Sequence, residues 1–154
     1  MSTFLVSETF DNFLLEEATI TSYNTFHIDG RFVPDFFNKE EEDISFLEEY
    51  SFSKWKNMRP ICFSLIKGKK TPVNFKFIFQ LHPLSMKKLL ENGDTNLTEK
   101  DVKAFVLNLK YENGQLTLIT GTSTFTFLMD KSADSIWDDA FRKFLNSHGI
   151  SYEA

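Results

Sequence analysis

Residues 102–129 read VKAFVLNLKYENGQLTLITGTSTFTFLM and carry the clearest structural signal in the chain. Large apolar side chains occupy every second position from Phe105 to Tyr111, which is the period of a half-buried β-strand. Asn113-Gly114 follows, and this pair favours a two-residue type I′ turn because both central residues need a positive φ. The pattern therefore predicts a β-hairpin.

The hairpin turn also predicts a register. It places Tyr111 opposite Leu116, so that the apolar side chains of both strands share one face of the sheet. A second tight turn is predicted at Gly121-Thr122, which would bring Phe125 opposite Leu118 and Phe127 opposite Leu116. Residues 102–129 are thus predicted to form three consecutive antiparallel strands, at 103–111, 115–120 and 123–129.

The flanking segments add one strand and two helices. Residues 73–81 alternate between apolar and polar side chains and predict another half-buried strand. Pro83 suits the first turn of a helix at 84–91. A last helix at 133–147, capped by Ser132, is expected to cover the apolar face of the sheet. Its apolar stripe consists of Ile136, Trp137, Ala140, Phe141, Phe144 and Leu145.

The N-terminal half leaves alternatives open. Residues 2–13 are interpreted as a short helix, although their first apolar run also suits a strand. Residues 12–33 favour strand, and Asp29-Gly30 predicts a turn that folds 26–33 back on itself. Residues 35–50 form either a short exposed helix or an acidic loop. Beyond them, Ser53 is predicted to cap a helix that runs to Gly68, and Pro60 either kinks this helix or starts a second one.

Length and composition predict a folded protein of one domain, residues 1–154, or of two small halves that share a core. Apolar residues make up 42% of the chain and charged residues 25%, which excludes a disordered protein. No apolar run approaches the roughly 18 to 20 residues of a membrane span, and the N-terminus lacks a basic stretch leading into a long apolar one. The single cysteine, Cys62, fits a reducing compartment. We therefore expect a cytoplasmic protein without a membrane partner.

Charge is unevenly distributed along the chain. Residues 1–50 contain 12 acidic and 2 basic residues, whereas residues 51–81 contain 7 basic residues and none that is acidic. This basic island could bind phosphate or an acidic partner, or it could lie against the acidic first third of the chain. The candidate phosphate- or partner-binding residues are Lys54, Lys56, Arg59, Lys67, Lys69, Lys70 and Lys76.

The sequence contains no recognisable catalytic or metal-binding pattern. The three histidines, His27, His82 and His148, are far apart and lack the spacing of zinc ligands. Cys62 lies between apolar neighbours and is interpreted as a buried structural thiol. Gly68-Lys69-Lys70-Thr71 lacks the first glycine of a phosphate-binding loop and leads into a strand. We accordingly predict no catalytic residue, no metal and no cofactor.

Two family resemblances follow from longer stretches. The segments FDNFLL (10–15), TFHIDG (25–30), RPICFSLIKGKKTP (59–72) and TGTSTFTFLMDKS (120–132) resemble an uncharacterised family of clostridia-like gut bacteria. The order of a strand, a helix and three strands over residues 73–129 resembles the unit repeated in DNA sliding clamps. The first resemblance implies no activity, and the second implies only an architecture.

The predicted fold is α+β, with an antiparallel sheet, helices packed on one face and a helix at the C-terminal end. The leading functional hypothesis is a non-catalytic protein that acts through a protein partner or through self-association. The second hypothesis is association with nucleic acid through the basic residues of 51–81. The third is an enzyme, which a deep pocket with converging His27 or His82 and carboxylates would favour.

Overall fold

The computed structural model describes residues 7–38, 40, 44–68 and 70–154. Its strands form a single antiparallel sheet in the order β2-β1-β3-β4-β5. The strands are β1 (Leu14–Thr21), β2 (Thr25–Asp29), β3 (Asn74–Gln80), β4 (Val102–Glu112) and β5 (Gln115–Thr124). The helices are α1 (Phe46–Glu49), α2 (Trp55–Ile66), α3 (Pro83–Asn92) and α4 (Ser132–Ser147), with a 3₁₀ turn at Pro34–Phe36. The predicted α+β class is confirmed.

The three longer helices pack on one face of the sheet and form a core rich in phenylalanine. Trp55 of α2 is fully buried, and its ring centroid lies 5.1 Å from those of Phe77 and Phe79 on β3. From α4, Trp137 stacks on Phe105 of β4 at 5.4 Å. The predicted covering of the sheet by the last helix is therefore confirmed. The buried helical residues are Trp55, Cys62 and Ile66 of α2, Met86 and Leu90 of α3, and Ala133, Trp137, Phe141 and Leu145 of α4.

The β4–β5 hairpin forms as its sequence predicts. Asn113 has a φ of 54° and Gly114 a φ of 76°, as a type I′ turn requires. Tyr111 pairs with Leu116 and Leu109 with Leu118. The turn residues therefore set the register of the whole C-terminal half of the sheet.

The second predicted turn, at Gly121-Thr122, is wrong. β5 continues through these residues to Thr124, because β4 is long enough to offer Val106 and Phe105 as pairing partners for Gly121 and Thr122. The predicted third strand at 123–129 consequently does not form. Two strands follow α3 where the clamp-like unit would have three, and Phe125 and Phe127 are exposed instead of packing on the hairpin.

The predicted turn at Asp29-Gly30 is also wrong, because the chain reverses earlier, at Ser22–Asn24, between β1 and β2. Gly30 directly follows β2 and lies against the backbone of β1. The described part of the predicted N-terminal helix forms turns, with Asp11 N–H donating to the carbonyl of Glu8. Residues 2–6 of that prediction lie outside the described residues.

Helix α2 runs from Trp55 to Ile66 with Pro60 in its interior, so Pro60 does not start a second helix. Its N-cap is Lys54 and not the predicted Ser53. The first two helical N–H groups, those of Trp55 and Lys56, donate to the carbonyls of Phe13 and Asp11. A backbone loop thus replaces the side-chain cap that the sequence suggested.

The predicted cap of the last helix is displaced by one position. Lys131 is the N-cap of α4, and Ser132 is its first helical residue. The N–H of Ser132 donates to Asp130 Oδ1 at 2.9 Å. The hydrogen bonds from the side chain and backbone of Ser132 lower the pKa of Asp130, and so favour the charged carboxylate near the positive end of the helix.

Candidate functional site

Strand β5 forms one edge of the sheet and is the leading candidate for a functional surface. It is 10 residues long and reads QLTLITGTST, without a charged residue or a proline. Proteins usually protect an exposed edge with charge, proline, a bulge or a short strand. The opposite edge, β2, follows this rule, since it has 5 residues and includes His27 and Asp29. The β5 edge therefore lacks the protection against strand pairing that the β2 edge has.

The hairpin turn determines which backbone groups of β5 face outward. Glu112 and Gln115 flank a two-residue turn and so form a hydrogen-bonded pair. Backbone groups of successive residues point to opposite sides of a strand, so Thr117 and Ile119 also bond to β4. The N–H and C=O groups of the intervening residues point away from the sheet. These residues are Leu116, Leu118, Thr120 and Thr122.

Apolar side chains accompany this free edge. Ile119 lies on the face of the sheet opposite the helices and is 60% exposed. Beyond the strand, Phe125 is 61% and Phe127 84% exposed. Leu116 and Leu118 are partly buried against the core. An incoming strand would therefore find both hydrogen-bonding groups and apolar surface.

The edge is also held in a fixed position. Thr120 Oγ1 donates to Asp138 Oδ1 of α4 at 2.9 Å, and Arg142 Nε donates to Asp138 Oδ2 at 2.8 Å. These hydrogen bonds, that from Arg142 first, lower the pKa of Asp138 and keep it charged. A groove of about 680 Å³ separates β5 and α4 from residues 150–154. Within the described chain, no backbone hydrogen bond joins residues 150–154 to β5.

A model of a family of unknown function, DUF5721, matches residues 3–153. The chain belongs to this family. The predicted resemblance to an uncharacterised family is thereby confirmed. No curated protein and no solved structure matches significantly, so the resemblance to sliding clamps stays a prediction.

The predicted basic residues of this DUF5721 protein do not form a single surface. Lys54 and Lys67 flank the two ends of α2, which at 12 residues is about 18 Å long. Lys76 lies on the sheet face opposite the helices, directly across from Lys110 of β4. Of the other members, Lys56 and Lys70 are exposed, Arg59 lies on α2, and Lys69 falls outside the described residues.

Arg59 is neutralised by the acidic N-terminal segment. Its Nε donates to Asp11 Oδ1 at 2.9 Å and its Nη2 to Asp11 Oδ2 at 3.1 Å, which makes a bidentate ion pair. Asp11 is only 8% exposed. For this residue the structure matches the second interpretation of the basic island, in which it lies against acidic parts of the fold.

The DUF5721 structure shows an inert thiol and, among its described residues, no metal-binding cluster. Cys62 is fully buried, and burial raises the pKa of its thiol to about 12, so the reactive thiolate is disfavoured at neutral pH. The described residues contain no group of three or more histidine, cysteine, aspartate or glutamate side chains that could hold a metal ion. In the same part of the chain, no helix combines the length and apolar character needed to cross a membrane.

Sequence reasoning missed the β5 edge because it did not predict the order of the strands. The relevant signal was present in the sequence, since 115–124 is the only one of the strands in the described residues that lacks a charged residue. The sequence did not indicate Ile119, because its exposure depends on which face of the sheet the helices leave uncovered. A charge-free strand becomes a candidate interaction surface only when it lies at an edge.

Proposed function

We propose that the protein is a non-catalytic, cytoplasmic protein that assembles with a second copy of itself by antiparallel pairing of two β5 edges. The observation that carries this proposal is the 10-residue edge strand without charge or proline. An edge strand without charged side chains has no group that would select a charged partner, so a second copy of the same uncharged strand suits it. Antiparallel pairing about a two-fold axis is the simplest closed assembly of two copies. The lone buried thiol of Cys62 supports a reducing compartment.

The outward backbone groups select a register for this pairing. With the two-fold axis at Ile119, Leu118 of one copy pairs with Thr120 of the other, and Leu116 pairs with Thr122. About eight backbone hydrogen bonds would form between the copies. The two exposed Ile119 side chains would meet across the axis, and each Phe125 would lie beside the other copy's Asn113-Gly114 turn. In this register, residues that lie opposite each other in the two copies point to the same face of the sheet.

Replacing Ile119 with lysine is expected to abolish the dimer. The two-fold axis would bring two ammonium groups together at the position where two isoleucine side chains meet. The monomer should keep its stability, since Ile119 is 60% exposed. Sedimentation velocity measures the result, with wild type as a dimer and Ile119→Lys as a monomer at concentrations up to about 100 μM.

The matched control is Thr25→Lys, which adds the same charge at an exposed position of the β2 edge. It should sediment as a dimer like wild type. A wild-type protein that stays monomeric at these concentrations would overturn the proposal. So would an Ile119→Lys variant that dimerises as well as Thr25→Lys.

Nucleic-acid association is a second candidate, which one observation favours. Lys76 and Lys110 lie directly opposite each other on the exposed sheet face, where like charges disfavour each other unless an anion lies between them. Glu112 offsets part of this charge, since its carboxylate is 2.9 Å from Lys110 Nζ. Duplex DNA binding that weakens with salt and is reduced in Lys76→Gln would support this candidate. Salt-independent or absent binding would exclude it.

A further inference from the structure

A second groove lies between the loop 8–13, helix α3 and helix α4. Its volume is about 720 Å³, within the range of small-molecule sites. Seven of its 16 lining side chains are apolar, and the aromatic ones among them are Phe13, Trp137, Phe141 and Phe144. The polar side chains at its margin include two lysines, Lys54 and Lys88, two histidines, His82 and His148, and one carboxylate, Glu8. The groove therefore combines apolar surface with one more ammonium group than carboxylate.

Tyr50 brings Lys54 and His82 together. The ammonium group of Lys54 lies 5.7 Å from the centroid of the Tyr50 ring, and the His82 ring lies 5.2 Å from it. Burial first, and then the charge of Lys54, lower the pKa of His82, with Glu49 acting in the opposite direction. The lowered pKa favours the neutral form of His82 at pH 7, beside the ammonium group of Lys54.

The tautomer of His82 follows from its role as the N-cap of α3. Its Nδ1 accepts a hydrogen bond from the N–H of Leu84 at 3.2 Å, so Nδ1 carries no proton. The proton of the neutral ring is therefore on Nε2, which becomes a hydrogen-bond donor. Lys54, Lys88 and His82 together offer donors suited to a carboxylate, next to an aromatic surface.

We propose that this groove binds a small organic carboxylate with an apolar body, its carboxylate at Lys54, His82 and Lys88 and its apolar body against Ala140 and the ring of Phe144, which are both partly exposed. Two ammonium groups against one carboxylate give the margin the charge that such a ligand requires. A bound protein helix would need a much larger surface than this groove offers. The proposal rests on the groove alone and does not depend on pairing through β5.

Octanoate is the probe for this proposal, and octylammonium is its cationic counterpart with the same apolar chain. Isothermal titration calorimetry of the full chain should show that octanoate binds at least about tenfold more tightly than octylammonium. Lys88→Gln should weaken octanoate binding about fivefold. Ala140→Phe, which places a larger side chain in the groove, should weaken both ligands.

The matched control is Lys87→Gln, because Lys87 is the neighbour of Lys88 but pairs with Glu99 outside the groove at 4.0 Å. Octanoate affinity should be unchanged in this variant. Equal affinity for octanoate and octylammonium would overturn the proposal, and so would an equal loss in Lys87→Gln and Lys88→Gln. Absence of octanoate binding at about 10 mM would also overturn it.

Discussion

Replacing Gly30 with alanine should lower the free energy of unfolding by more than about 4 kcal/mol, an unusually large effect for a single methyl group. A Cβ atom built on Gly30 lies 1.7 Å from the carbonyl oxygen of Leu15. The obstacle is backbone, so no side-chain rotation can relieve it. Accommodating the methyl group requires movement of β1 itself.

Two hydrogen bonds prevent that movement. The N–H of Gly30 donates to the carbonyl of Glu16 at 2.9 Å, and the carbonyl of Gly30 accepts from Ser53 N–H at 2.9 Å. The carbonyl of Ser53 in turn accepts a hydrogen bond from the N–H of Leu15 at 2.8 Å. Three backbone segments therefore meet at this glycine, next to the bulge between Leu15 and Glu17.

Urea unfolding followed by tryptophan fluorescence, at a fixed protein concentration, measures this loss. Gly68→Ala is the control, because a Cβ atom at Gly68 meets no atom within 4 Å. That variant should stay within about 0.5 kcal/mol of wild type. A Gly30→Ala protein as stable as Gly68→Ala would contradict the close backbone approach.

Replacing Trp137 with alanine is expected to cost about 3 to 5 kcal/mol of unfolding free energy. The ring is 2% exposed and stacks on Phe105 with an interplanar angle of 3°. Its Nε1–H donates to the carbonyl of Val106 at 2.8 Å. The variant would therefore leave a cavity between α4 and the sheet and remove a hydrogen bond.

Trp137→Phe separates these two contributions. Phenylalanine keeps much of the aromatic packing but removes the indole hydrogen bond to the Val106 carbonyl, which still pairs with Gly121 of β5, at a cost of about 0.5 to 1.5 kcal/mol. Both variants are measured by the same urea unfolding, observed by far-UV circular dichroism. A loss below about 1 kcal/mol for Trp137→Ala would show that α4 does not cover the sheet as described.

The parts of the fold predicted correctly are those determined by neighbouring residues. The β4–β5 register follows from Asn113-Gly114 and the alternation on either side, which are both local. Helix α4 follows from the apolar stripe between Ile136 and Leu145. Pro83 begins α3 because its missing N–H costs nothing at the first helical position.

The wrong predictions concern residues whose role is set by distant parts of the chain. Gly121 does not adopt a positive φ, and its strand continues because Val106 is available as a partner. Gly30 is a site of close approach to Leu15 and not a turn residue. Each glycine suggests a turn locally, yet its conformation is decided by tertiary contacts.

The candidate sites depended on tertiary contacts even more strongly. The basic residues of 51–81 are close in sequence, but α2 and the sheet separate Lys54, Lys67 and Lys76 in space. The β5 edge required knowledge of the strand order. Identifying the second groove required knowing that Lys54 and His82 both contact Tyr50. No spacing in the sequence indicates this contact.

Amide hydrogen exchange of β5, measured by NMR at low and high protein concentration, tests the proposed pairing most directly. The N–H groups of Leu118 and Thr120 point away from β4, whereas that of Ile119 bonds to it. We expect exchange at Leu118 and Thr120 to slow as concentration rises and dimers form, with Ile119 protected throughout. Rapid exchange of Leu118 and Thr120 at every concentration would contradict pairing through this edge.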